Sequence, residues 1–268
     1  MMTETKGIAL VTGASSGIGA VYADRLARRG YDLILVARDE ARLNALAARL
    51  NAETGRTIEV QRADLTNPAD LAAVERRLAQ DAAITVLINN AGMSLRGNLL
   101  SADSDELDRL IALNVNAPTR LAATAGRAFA SRGAGAIVNI ASVLALVVED
   151  FDGAYNGTKA HLLAVSRWLA GQLGEHGVHV QAVLPAATRT EIWERAGQDI
   201  NSLPAEVVME VDDLVDSALV GFDRREAVTI PPLADETLWQ AYDAARSAML
   251  PGFGNGTPAS RYRKTIAA

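Results

Sequence analysis

The chain of 268 residues contains no cysteine, three lysines, three histidines, eight prolines and only 4% aromatic side chains. Without cysteine there are no disulfides and no thiolate metal sites, so a disulfide-stapled or zinc-thiolate fold is excluded. His161, His176 and His179 have no carboxylate arranged around them in the sequence as a metal site, and packing accounts for them better than metal. A basic surplus is missing too. The formal net charge is −6, which argues against a nucleic-acid binder, since such a protein needs cations for the phosphates. No apolar run approaches a membrane span. Met1 to Lys6 is too short and polar for a signal peptide and Ile8 opens a core strand at once, so the expected location is the cytoplasm. No Pro- or Ser-rich linker and no repeat divides the chain, so one domain over residues 1–268 is expected. At 49% hydrophobic and 22% charged, it can bury a large core.

What the chain does contain is order. Seven short apolar runs, near Ile8, Tyr31, Thr57, Ile84, Ala136, Val178 and Ala227, alternate with helical patterns. That alternation predicts an α/β domain, a doubly wound parallel sheet of about seven strands with helices on both faces. The run Thr12-Gly13-Ala14-Ser15-Ser16-Gly17-Ile18-Gly19 lies between the first strand and a helix through Leu26. A strand, a Gly-rich turn and a helix N-terminus bring free N–H groups and the positive end of a dipole to one point, which suits a pyrophosphate. The second strand ends in Ala37-Arg38-Asp39. A guanidinium there fits a ribose 2′-phosphate, while Arg38 could instead begin a solvated helix capped by Asp39. Farther on, Tyr155 and Lys159 are four residues apart, on one helix face, where an ammonium favours a phenolate and turns the phenol into an acid/base group. Asn114 interrupts the amphipathic helix of Leu107 to Leu121, an expense in helix propensity that calls for a reason.

Ser142, Tyr155 and Lys159, with Thr12-Gly13-x3-Gly17-x-Gly19 and Asn89-Asn90-Ala91-Gly92 in order before them, resemble the classical short-chain dehydrogenase/reductase family. The resemblance spans most of the chain and implies a Rossmann-like fold. It implies that Ser142 holds a substrate carbonyl and Tyr155 gives the proton. Lys159 lowers the phenol pKa and binds ribose, and Asn114 holds a relay water. The 4-pro-S hydride of NADPH passes to a ketone or aldehyde, or the reverse reaction oxidises an alcohol. The implied cofactor contacts are Gly13, Ser15, Ser16, Gly17, Ile18 and Gly19 around the pyrophosphate, Asp64 and Leu65 at the adenine, and Asn90, Ala91 and Gly92 along the cleft. Pro185 and Thr188 serve the nicotinamide side and Thr190 meets the phosphates, with Tyr155 and Lys159 at the ribose. Relatives that take NAD(H) end the second strand in an acidic residue; Ala37 and Arg38 stand there here, so NADP(H) is expected over NAD(H). Ala186 stands where the family usually has Gly, a residue often used for positive φ.

The expected substrate pocket is Met93, Leu95, Val143, Leu144, Glu149, Asp150 and Trp193, under a lid near residues 190–210. It suits a medium-sized, non-anionic carbonyl compound. Residues 231–268 read as a helix and a tail. Relatives pair the helices beginning near Asp105 and Tyr155, so a homodimer or homotetramer is expected, with no nucleic-acid or membrane partner. Two other readings keep the same fold: a cofactor-sensing regulator that has lost catalysis, and a nucleotide-sugar epimerase or dehydratase. The intact Ser, Tyr, Lys and Asn set argues against the first. The 109 residues after Lys159 are short for the second.

Overall fold

The computed structural model describes residues 5–263 other than Val148 and Asp150. Up to Pro232 the chain is one compact unit. Its strands are β1 (Ile8–Thr12), β2 (Asp32–Ala37), β3 (Ile58–Arg62), β4 (Ile84–Asn89), β5 (Gly135–Ile140), β6 (Val178–Val183) and β7 (Val228–Thr229). They form one parallel sheet in the order β3-β2-β1-β4-β5-β6-β7. The strand order reverses between β1 and β4, and in such sheets ligands bind at the carboxyl ends beside that reversal.

Both faces of the sheet are dry, as the unbroken apolar runs require. The pleat sends Ala9, Val11, Leu33 and Leu35 to one face and Leu10, Ile34 and Val36 to the other. The first face is covered by α1 (Gly17–Arg28), α2 (Glu40–Thr54) and α8 (Val211–Asp223). Helices α3 (Pro68–Gln80), α5 (Ala117–Arg132) and α6 (Gly153–Leu173) cover the second. Asp39 caps α2 by accepting from Arg42 N, and Asn67 caps α3. The long helix expected over Leu107–Leu121 is three pieces: α4 (Ser104–Ile111), a π-helical turn at Ala112–Asn116, and α5. One inserted residue shifts the bonding to Ala117 N–Ala112 O, a π bulge of the kind that concentrates at functional sites.

Buried amides cross this apolar layer at the carboxyl ends of the strands. Asn89 Nδ2 on β4 donates to Asn139 Oδ1 on β5 at 2.9 Å and to Pro118 O at 3.1 Å. Asn139 Nδ2 in turn donates to Ser166 Oγ on α6 at 2.8 Å, and Ser166 Oγ to Leu162 O. Gln181 on β6 donates to Thr229 Oγ1 on β7 and to Ala218 O on α8.

From Leu233 the chain forms a second compact unit. It holds α9 (Glu236–Ala248), capped by Asp235 and carrying the stacked rings of Trp239 and Tyr242, and then 3-10 turns at Leu250–Gly254 and Ser260–Tyr262. No helix among the described residues is long and apolar enough to cross a membrane.

Replacing Asn139 by Ala removes the middle of the amide row and leaves Asn89 Nδ2 and Ser166 Oγ each one buried partner short. Such a loss costs about 1–3 kcal/mol, or several degrees in Tm for a chain of this size. A thermal melt of Asn139→Ala that matches the parent would show that the row does not hold the sheet.

Candidate active site

The first turn after β1 is shaped by backbone approach. Gly13 has φ of +65°, and a Cβ on it would stand 2.8 Å from Asn90 Nδ2 and 2.9 Å from Ala91 Cα. Thr12 Oγ1 accepts from Asn90 N at 3.0 Å and Ala91 N at 3.1 Å, and Asn90 Nδ2 returns bonds to Thr12 O and Gly13 O at 3.0 and 3.1 Å. This reciprocal clamp fixes the two strand ends at the reversal. Gly19 packs against it: a Cβ there would be 2.3 Å from Gly13 O. Gly19 is therefore a packing glycine and does not line the cleft, a correction to its expected place among the cofactor contacts. Ser16 at the N-cap of α1 makes no side-chain capping bond, and the first turn holds no acidic residue, so its N–H groups and dipole face the cleft uncompensated.

One cavity of about 790 Å³ runs along the carboxyl edge of the sheet. Every other residue expected at the cofactor lines it, from Gly13, Ser15, Ser16, Gly17 and Ile18 through Arg38, Asp64, Leu65, Asn90, Ala91 and Gly92 to Pro185, Thr188 and Thr190. Arg38 is exposed and has no hydrogen-bond or ion-pair partner among the described residues. Asp39 is the cap expected of it, yet also reaches the cavity wall. Asp64 Oδ1 accepts from Thr66 N and Oγ1 at 2.9 and 2.7 Å. Burial pulls its pKa up, but the Thr66 bonds, with Arg38 and Arg62 nearby, outweigh that and hold the carboxyl below its usual value. Ala186 keeps an ordinary φ, since Phe151 and Arg225 are the non-glycine residues with positive φ among those described. The missing family glycine therefore strains nothing.

Ser142, Tyr155 and Lys159 line the same cavity. Ser142 Oγ accepts from Leu144 N at 3.1 Å and donates a long, weak bond to Pro185 O at 3.4 Å, one that a substrate oxygen could replace. Lys159 Nζ donates to Ile140 O at 2.9 Å and sits 5.6 Å from the centre of the Tyr155 ring. Burial pushes the phenol above its ordinary value and the Lys159 ammonium down to about 8. The phenol is thus moved by desolvation, upward, where the sequence led us to expect a lowering by the ammonium.

Asn114 is buried in the π turn with its side chain taken up: Oδ1 accepts from Met93 N at 2.9 Å, and Nδ2 donates to Met93 O at 2.8 Å and Thr158 Oγ1 at 3.2 Å. Both amide protons being engaged, the side chain is a clamp on the chain after Gly92. Gly92 itself leaves a gap, since a Cβ there would lie 3.4 Å from Asn114 Oδ1 and 3.6 Å from Lys159 Nζ.

Of the expected substrate pocket, Val143, Leu144 and Trp193 line the cavity. Met93 does not, its main chain being held by Asn114; Leu95 is buried in packing; and Glu149 is exposed away from the cavity. Asp150 lies outside the described residues. Ser94, Leu113, Phe151 and Ile192 line it unforeseen. An aromatic four residues before Tyr155 in a chain so poor in aromatics was the available signal for Phe151. Residues 190–210 hold a short helix α7 (Ile192–Arg195) and 3-10 turns at Ile200–Ser202 and Ala205–Val207. They are tied back by Trp193 Nε1 to Thr188 O at 2.9 Å and by a bridge between Thr188 and Met209.

Comparison with known proteins places the chain in a family. The sequence model of the short chain dehydrogenase family matches residues 7–201. A short-chain dehydrogenase from Sphingobium yanoikuyae, solved in complex with NADPH, is 56% identical, covers 96% of this chain and 100% of its own, and superposes with a TM-score of 0.94. The bulky-bulky ketone specific alcohol dehydrogenase from Comamonas testosteroni is 48% identical over 97% of this chain and 100% of its own, with a TM-score of 0.90. D-threitol dehydrogenase from Mycolicibacterium smegmatis is 33% identical over 193 residues, 70% of this chain and 73% of that protein. With its Ser, Tyr and Lys on one cavity and more than half of its length matched, this chain belongs to the short chain dehydrogenase family of oxidoreductases.

Proposed function

We propose that the protein uses NADP(H) to interconvert a ketone bearing two bulky apolar substituents and its secondary alcohol. The observation that carries this reading is one cavity lined both by the half-buried Tyr155 with the buried Lys159 and by the guanidinium of Arg38, which has no partner among the described residues. The uncapped start of α1 and the Gly13 approach fit the pyrophosphate, Arg38 the 2′-phosphate, Asp64 and Leu65 the adenine, and Asn90 to Gly92 the middle of the cleft. Pro185 and Thr188 fit the nicotinamide side, and Thr190, beside Gly17, the phosphates. When bound there, NADPH supplies the hydride. Two relatives support the choice, one crystallised with NADPH and one named for bulky-bulky ketones. The mainly apolar wall of Val143, Leu144, Phe151, Ile192 and Trp193 supports such a substrate as well.

The chain's own residues divide the work. Ser142 Oγ exchanges its weak bond to Pro185 O for the substrate carbonyl and holds it for Tyr155. Because burial keeps the phenol protonated at neutral pH, Tyr155 is a resident acid, suited to reduction; alcohol oxidation, which needs the phenolate, is favoured as pH rises. Lys159 binds the ribose and recharges the phenol, and the gap over Gly92 offers a place for a water between Lys159 and Asn114. The segment over 190–210 acts as a lid. Pairing of copies through α4 and α6 belongs to this reading, with Trp168 on α6 exposed to 64%.

Three outcomes are expected. Tyr155→Phe keeps fold and NADPH affinity but loses about 10²- to 10⁴-fold in ketone reduction, the usual share of a general acid; a steady-state assay at 340 nm with unchanged turnover would remove Tyr155 from the mechanism. The second concerns Lys159, whose folded pKa of about 8 lies below the ordinary 10.5. The folded chain gives up this proton first, so the cofactor-free protein gains stability as pH rises from about 8 to 10.5, where the unfolded chain binds more protons. A bound anionic cofactor pulls the pKa back up, so NADPH binding near pH 8.5 takes up protons, measurable by calorimetry in two buffers of different ionisation enthalpy and absent in Lys159→Met. The third concerns Arg38: charge-assisted bonds to the 2′-phosphate favour NADPH over NADH by about 10- to 150-fold in kcat/KM. Ala37→Asp with Arg38→Leu reverses that order. A ratio near one in the parent would leave Arg38 a surface residue.

A further inference from the structure

Phe151 is the residue at the site whose backbone is hardest to explain by folding alone. Its φ of +69° is a left-handed conformation that an aromatic side chain rarely adopts, and such strain persists only where the surroundings impose it. They do so here: the next residue, the buried Asp152, caps α6 by accepting from Ala154 N and so fixes the chain just before Tyr155. The strained backbone brings the Phe151 ring into the cavity wall, where it remains 45% exposed. Its centroid is 5.9 Å from that of Tyr155 and 6.2 Å from that of Trp193, with an interplanar angle of 72° in both pairs.

Each of these pairs is edge to face, the arrangement that matches the positive edge of one ring to the negative face of another. Trp193 cannot drift from this position freely, because its indole N–H is held by Thr188 O. Beside Trp193 in the same cavity, Glu191 pairs with Arg42 at 2.7 Å and with Arg195. An exposed aromatic edge and face beside the proton donor selects a planar apolar ring over a saturated one of equal bulk.

Resting on the ketone-reductase reading above, the geometry points to Phe151 and Trp193 as specificity-determining residues that seat an aromatic ring of the substrate, making aryl ketones the class of substrate. Aliphatic bulk gains burial from this wall but not the quadrupole match. The preference is therefore worth about what one aromatic pair contributes, roughly 2- to 12-fold.

The test compares phenyl and cyclohexyl ketones that share the same second substituent. Their Kd values on the NADP⁺-loaded protein, which cannot reduce them, are measured by calorimetry, and kcat/KM with NADPH is measured in parallel. The parent should bind the phenyl ketone the more tightly by about 2- to 12-fold. Phe151→Leu should bring that ratio to about one while cyclohexyl binding stays close to the parent; Phe151→Tyr, which retains a ring, should keep it. Trp193→Phe should keep it as well, although it gives up the bond to Thr188. Equal binding of the two ketones by the parent overturns the proposal, as does a Phe151→Leu variant that weakens both ketones alike or leaves the ratio intact. Phenyl-selective binding without reduction of either ketone upholds the aromatic seat and sinks only the reductase reading. Reduction of both ketones with no selectivity in binding does the opposite.

Discussion

The site depends on hydrogen bonds between buried amides and hydroxyls at the carboxyl ends of the strands. In a parallel sheet covered on both faces, an amide must find a partner inside the protein or cost a large desolvation penalty. Asn90 and Thr12 answer each other across the β1–β4 reversal, Asn89 reaches Asn139, and Asn139 reaches Ser166 on α6. Hydrophobic packing brings β4, β5 and α6 together without fixing their offset to a fraction of an ångström; directional bonds do. Since α6 carries Tyr155 and Lys159, and β5 leads into Ser142, this row sets the reacting groups against the cleft.

That placement decides the electrostatics. Tyr155 and Lys159 lie where desolvation favours the neutral form of each, which moves the phenol up and the ammonium down. An isolated Tyr and Lys at helical spacing would lead one to expect the reverse, because in water the pairwise attraction dominates. Here the Lys159 ammonium leans on the carbonyl of Ile140, which compensates part of its desolvation. On the proposed reading, the anionic groups of a bound dinucleotide would supply the rest.

Much of this was legible in the chain. Apolar runs with no polar interruption gave the strands and their burial on both faces; the Gly-rich turn, Arg38, the capping of α2 by Asp39 and the pair at 155 and 159 needed only local spacing. Asn114 announced a break in its helix, because an amide lowers helix propensity, but not that the break is a π turn or that its side chain holds Met93. What could not be read depends on distant partners. Asn139 and Ser166 look like stray polar residues in an apolar strand and a helix until they are seen to bond one another. The motif offers Gly19 as a ligand glycine, whereas the approach of Gly13 O and Asn90 governs it. Met93, Leu95 and Glu149 were placed in the pocket because they follow functional residues in sequence, and nearness along a chain says little about which way a side chain faces. The spacing of Phe151 before Tyr155 marks it in the sequence, but its positive φ does not show in any pattern.

The central claim is that this cleft joins a dinucleotide to a ketone beside Tyr155, and isotope transfer tests it most directly. NADPH carrying deuterium at the 4-pro-S position is incubated with the protein and an aryl ketone, and the alcohol is analysed by mass spectrometry and NMR. The account predicts one deuterium on the carbinol carbon, and none when the label is at the 4-pro-R position. Alcohol labelled only from the pro-R position, or no labelled alcohol from either, would contradict it.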